Sequence, residues 1–171
     1  MRRLFWVLLL ASSLLGCAAI RGAVARQETL DREIGAYVIQ KPLADAWTVA
    51  LSEDLTFWEV VAGRGLKWEE TGKWQARSAV EVKSEKKAGG VVEVEKSWVE
   101  AEGVTAGDGS QIHFFVVNER HTIRDGTEGL GDRSRTRALE MELAFIKKLD
   151  PQAGAAIEKK AQSAEQAARA E

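Results

Sequence analysis

Between Lys73 and Arg124, apolar and polar residues alternate in runs separated by short polar turns. A period of two restricts this part of the chain to β-strands. In "KWQARSAVEVK", Trp74, Ala76, Ser78, Val80 and Val82 fall on one side, and Lys73, Gln75, Arg77, Glu81 and Lys83 on the other. After the turn "EKKAGG", the run "VVEVEKSWVEAE" resumes with Val92 and Val94 inward and Glu93 and Glu95 outward. A second turn, "GDGS" (Gly107 to Ser110), leads into "QIHFFVVNERHTIR". "FWEVVAG" and "GLKWEE" supply one earlier strand, interrupted at Gly63-Arg64-Gly65. Four strands in this order predict an antiparallel meander, dry on one face and wet on the other.

A sheet with one dry face needs a cover, and the flanks supply it. Pro42 stands where a first helical residue belongs, and Asp45 falls in the first turn. Leu43, Ala46, Trp47, Ala50 and Leu51 then repeat at three and four, which predicts an amphipathic helix. "AYVIQ" (Ala36 to Gln40) reads as a short strand before it. After the sheet, "DGTEGLGD" (Asp125 to Asp132) reads as a flexible loop and "RSRTRALEMELAFIKKL" as a helix on Leu139, Leu143, Ile146 and Leu149. Asp150-Pro151 stops or kinks that helix. The last residues are Ala-rich with Ile157 as their only large apolar side chain, so a fraying helix is expected.

The predicted fold class is therefore α+β. A four-stranded antiparallel meander, with a short N-terminal strand, packs against an N-terminal helix and a long C-terminal helix. This helix-grip-like order, over about residues 36–150, resembles the repeated domains of the C lipoprotein of the β-barrel assembly machinery. It is more remotely similar to START-like lipid-binding folds. Element order carries the resemblance, without a residue motif.

The N-terminus has a different character. Met1-Arg2-Arg3 forms a short positive region, and Leu4 to Leu15 is apolar apart from Ser12 and Ser13. That length fits the core of a signal peptide and falls short of the ~20 helical residues that span a bilayer. Leu14-Leu15-Gly16-Cys17 resembles the bacterial lipobox, with Leu15 larger than the usual occupant of its position. The resemblance implies cleavage before Cys17 and acylation of its thiol and new amino terminus. Two or three acyl chains anchor stably where one does not. Ala18 after the Cys, in place of Asp, implies the outer membrane, with the protein facing the periplasm. The expected domains are then a signal peptide (1–16), a tether (17–35), a globular domain (36–150) and a helical tail (151–171).

Net charge is −2, with acids and bases interspersed, so no nucleic-acid surface is expected. His113 and His121 share one strand face but lie roughly 26 Å apart at ~3.3 Å per residue, too far to hold one metal ion. The acids of Asp125–Asp132 lack the spacing of a calcium loop, and no Ser stands in a nucleophile-elbow motif. Acylation would consume the one cysteine, Cys17. No enzyme, metal or cofactor is expected.

The remaining candidates are aromatic. Trp47, Trp58, Trp68, Trp74 and Trp98 all fall in the domain. A Trp-rich core between sheet and helix is the simpler reading; a groove for an apolar ligand or partner peptide is the alternative. Trp58, Trp68 and Trp74 are the candidate contact residues. The expected function is that of a non-enzymatic, membrane-anchored envelope lipoprotein. Its periplasm-facing domain would bind protein partners or assist envelope assembly. The alternative is a carrier or sensor of a lipid or other apolar ligand in a helix-grip cavity.

Overall fold

Three two-residue turns set the register of the sheet. Gly89-Gly90 and Asp125-Gly126 hold positive φ at both central positions, 56° with 77° and 51° with 77°. Such primed turns match the right-handed twist of the strands they join. The third, Gly107-Asp108, joins two strands of 16 residues that pair without a break from Val91↔Arg124 to Ala106↔Gly109. The computed structural model describes the backbone of residues 2–52 and 68–170, and side chains from residue 18 onward.

Among the described residues the order is α1 (Arg2–Ala36), α2 (Leu43–Ala50), β1 (Trp68–Gly72), β2 (Gln75–Ser78), β3 (Glu81–Ala88), β4 (Val91–Ala106), β5 (Gly109–Arg124), β6 (Thr127–Arg137), α3 (Leu139–Leu149) and α4 (Pro151–Ala170). The protein is α+β. Its antiparallel sheet runs β1-β2-β4-β5-β6, and β3 pairs with β4 beside β2. The chain divides into a unit of residues 38–145 and a helical unit of residues 1–37 and 146–171.

Among the described residues the sheet unit has six strands, where a four-stranded meander and a short N-terminal strand were expected. The run 73–83 splits into β2 and β3, which pair with successive stretches of β4. Ala76 and Ser78 are buried, but Val80 and Val82 are exposed, so the dry face ends at the split. Trp74 is not a strand residue. It sits in the β1–β2 turn at φ 61°, and its carbonyl accepts the Gly103 N–H at 2.9 Å. The expected loop at 125–132 is a tight turn followed by β6, and the helix expected from residue 133 begins at Leu139. The strand expected at 36–40 reduces to one bridge, Ile39↔Ser110, closed by two backbone hydrogen bonds. The strand expected at "FWEVVAG" lies outside the described residues.

The core lies on one face, called here the helix face. Ala76, Val99, Ala101, Ile112 and Phe114 share it through cross-strand register and are buried. Helix α2 approaches where the sheet has no side chain: a Cβ on Gly103 would lie 2.9 Å from Leu43 and 3.2 Å from Trp47. On α3, Phe145 meets Phe114 edge-on at 5.7 Å. Each ring is fully buried, and such burial contributes about 1.5–3 kcal/mol per side chain.

In the helical unit, α1 and α4 run antiparallel. Arg21 reaches the Ala168 carbonyl, Lys160 pairs with Glu33 at 2.6 Å, and the Tyr37 hydroxyl donates to Asp150 at 3.1 Å. Leu30, Ile34, Ile157 and Ala161 are buried. The segments read as tether and as fraying tail thus supply each other with an apolar face. Ile157 finds a partner helix that was not visible in its own sequence.

Candidate functional site

The sheet face opposite the core, the ionic face, carries the densest set of functional side chains. Strands β4, β5 and β6 place Glu100 and Glu102, Phe115 and Glu119, and Arg133 and Arg135 side by side. Arg135 donates to Glu100 at 2.8 Å and to Glu102, and its guanidinium carbon lies 3.4 Å from the centre of the Phe115 ring. Glu100 also accepts from the Trp98 indole at 3.1 Å and faces Arg133 at 3.5 Å. Arg133 stacks 5.9 Å from the Trp98 ring and reaches Glu119 at 3.5 Å. The two nitrogens of His121 lie 2.9 Å from Glu119 and 2.8 Å from Glu128, and Lys96 closes the row on Glu128 at 2.8 Å. Beneath them Val117 is completely buried.

Electrostatics follows from this lattice. Burial raises the pKa of Glu100, but its bonds from Arg135 and Trp98 outweigh that and hold the carboxyl below its ordinary value. Lys96 does the same for Glu128. Glu100 and Glu128 therefore stay ionised, as acceptors in a fixed pattern of alternating charge. Such a pattern suits recognition of a complementary charged surface, where charge placement sets register and specificity.

A second cluster ties the sheet to α3. Just beyond the end of β6 the Phe114 carbonyl of β5 accepts the Ala138 N–H at 2.7 Å, and the Phe114 N–H donates to Glu142 at 3.1 Å. Arg137 donates to both oxygens of Glu142, at 2.9 and 2.7 Å, and lies 3.1 Å from His113 Nδ1. Glu142 is only 1% exposed. Burial opposes its charge, yet His113 and Arg137 hold its pKa below the ordinary value.

The residues singled out in the sequence fall elsewhere. Trp74 packs edge-on against Trp47 at 6.1 Å, and Trp68 lies 6.4 Å from Phe114, both half-buried beside the helix-face core. Trp58 lies outside the described residues, and Cys17 is described only as part of the α1 backbone. His113 and His121 belong to the two separate ionic clusters. No group of metal-ligating side chains occurs among the described residues. Two open hollows of the sheet surface, about 270 and 260 Å³, are lined mainly by charged and polar residues, including Glu95, Arg120 and Asp132 in one and Arg77, Glu100 and Glu102 in the other. No helix of the described residues is long and apolar enough to cross a membrane.

Sequence reasoning missed Arg133, Arg135 and Glu142. The signal for the first two was present in "RSRTR", whose alternate arginines share one side of a strand. Comparison with known proteins gives no assignment: no family model, curated protein or solved structure matches the chain.

Proposed function

We propose that this chain is a lipid-anchored lipoprotein of the bacterial cell envelope, attached through acylated Cys17, whose sheet unit binds a protein partner. The observation that carries the reading is the sequence Arg2-Arg3, the apolar run Leu4–Leu15, and Leu14-Leu15-Gly16-Cys17. The helical unit is compatible with processing at that point. The described pairing of α1 with α4 runs from Arg21 and Gly22 to Tyr37, all C-terminal of Cys17, so cleavage would leave it whole. The ionic face supports the partner-binding half of the proposal, because it offers fixed charges of both signs over a buried apolar floor. Ala18 in place of Asp after Cys17, by resemblance to the sorting pattern of Gram-negative lipoproteins, supports the outer membrane as the location, facing the periplasm.

Metabolic labelling with a palmitate analogue tests the anchor. The wild-type chain should take up label and the Cys17→Ala chain none; equal labelling of the two would overturn the proposal. Partner binding is tested by a photoreactive residue at Leu130, which is exposed and aligned with His121 on the ionic face. Discrete crosslinks to an envelope protein are expected, and their loss on Arg135→Glu would tie them to this face.

A further inference from the structure

We infer that the first two turns of α1 after Cys17 form a contact surface for the lipid bilayer, with Ile20 and Val24 seated in the interfacial region. The inference rests on the lipoprotein reading above and adds a non-covalent site to it. In the helical unit the large apolar side chains exposed among the described residues are these two, at 67% and 50%. Farther along the same helix, Leu30 and Ile34 are buried. Helix α1 is continuous through Cys17, so positions 20 and 24 follow it by three and seven residues and share its face.

The chemistry of that face changes with height. At 1.5 Å per residue, Ile20 and Val24 stand about 4.5 and 10.5 Å along the axis from Cys17; with the helix tilted by about 45° towards this face they rise only about 3 and 7 Å, within the ~5–8 Å headgroup layer of one leaflet. Arg21, exposed on the adjoining position, is placed at phosphate level. The next residues of the same face are Gln27, Glu28 and Asp31, all exposed, which at the same tilt rise about 11, 12 and 15 Å from Cys17, beyond that headgroup layer. An apolar pair beside the acyl anchor with a cation between its members, then acids beyond the headgroups, matches a lipid surface of limited depth. A second copy of α1 laid along this face would bring Glu28 and Asp31 against their like-charged counterparts, which opposes that alternative.

The test uses the full chain, lipidated in cells, purified and reconstituted in vesicles of phosphatidylethanolamine with phosphatidylglycerol. Because acylation consumes Cys17, the only native cysteine, a single introduced cysteine takes a nitroxide label uniquely. Ile20→Cys, Val24→Cys, Glu28→Cys and Asp31→Cys are compared by collision with oxygen, which concentrates in the bilayer, and with a water-soluble nickel complex. The oxygen-to-nickel ratio should be at least about threefold higher at 20 and 24 than at 28 and 31. Equal ratios at all four sites in a protein whose mass shows the acyl chains would overturn the inference and leave the anchor standing. Spin–spin broadening at 20 and 24 that fades on dilution with lipid would overturn it in favour of a second copy. Absence of acyl mass would overturn the lipoprotein reading and this inference with it.

Discussion

Arg137 clasps Glu142 with two parallel hydrogen bonds, and the carboxylate they hold also accepts the Phe114 N–H where β5 runs past the end of β6. One buried side chain thus joins the end of β6, the edge of β5 and the start of α3. Removing it would take away the carboxylate that the Arg137 guanidinium and the Phe114 N–H share, and breaking a buried pair typically costs 3–5 kcal/mol. Arg137 is about one-quarter exposed, which lets water recover part of that. Glu142→Ala is therefore expected to destabilise the fold by about 3 kcal/mol. Glu142→Gln, which keeps an acceptor for Phe114, should lose less. Urea unfolding decides it: an unchanged midpoint for the alanine variant would show that the cluster is ornamental.

The same carboxylate contributes to acid stability. Its folded pKa is depressed below the ordinary carboxyl value of 4.5. Its stabilisation is therefore fully present above that value and is lost as pH falls through the lower, folded pKa. Glu100 shifts in the same direction, so wild-type stability should decline over a broad acid range. Glu142→Gln should decline less steeply below pH 4.5, the ordinary value, while starting from a lower plateau. Parallel stability–pH curves for the two proteins would contradict this.

Tyr37 is the only tyrosine, so phenolate absorbance reports on the joint of the helical unit without interference from another tyrosine. Burial, and then its hydrogen bond to Asp150, push its pKa up from 10.0 to about 12. Because the folded value is raised, the associated stability is complete below pH 10 and is lost as pH rises towards 12. Spectrophotometric titration of the native protein should give a midpoint near 12, returning towards 10 in denaturant. With Asp150→Asn the native midpoint should fall between these, because burial remains and the anionic acceptor does not.

The elements that the sequence disclosed are those whose partners impose an apolar period. Helix α2 could be read from Leu43, Ala46, Trp47 and Ala50, and β4 and β5 from their alternation. Strand β6 could not, because Leu130 is its only large apolar residue and its ionic-face positions are filled by Arg133, Arg135 and Arg137. Their partners, Glu100, Glu102, Glu119 and Glu142, lie on two strands and a helix that only the fold brings together. The Asp125-Gly126 pair was the one local clue to the hairpin. The pairing of the expected tether with the helical tail was hidden for a related reason. Each has a thin apolar stripe that has meaning only against the other, through Leu30 and Ile34 on one side and Ile157 and Ala161 on the other.

The ionic face makes a prediction of its own. If Arg135 acts mainly through charge, its contribution should fade with salt; if it acts through its contact with Phe115, it should not. Arg135 is about one-third exposed, so its ion pairs are screened and contribute only about 1 kcal/mol together. Arg135→Ala should cost about 2 kcal/mol at low ionic strength, and roughly half should persist in molar salt through lost packing over Phe115. Arg135→Lys should keep the salt-dependent half and lose the other, since an ammonium does not stack on the ring as a guanidinium does.

Gly109 tests whether the single bridge at Ile39 holds the entry to the sheet unit. Its backbone follows the Gly107-Asp108 turn, and a Cβ there would collide with the Ile39 carbonyl oxygen and lie 2.8 Å from a Val38 methyl. That carbonyl cannot simply step aside. It accepts the Ser110 N–H at 3.0 Å, while the Ile39 N–H donates to the Ser110 carbonyl at 2.9 Å and the Ser110 hydroxyl donates to Lys41 at 3.0 Å. Gly109→Ala must therefore break the bridge, with an expected loss of about 2–4 kcal/mol from overpacking and two buried backbone hydrogen bonds. Amide exchange should then speed up at Ile39 and Ser110 well before it does at Val99 or Phe114 in the centre of the sheet. Uniform acceleration across all four amides would instead mean that the bridge unfolds only with the whole unit, and that residues 38–41 are part of its core and not a clip on its edge.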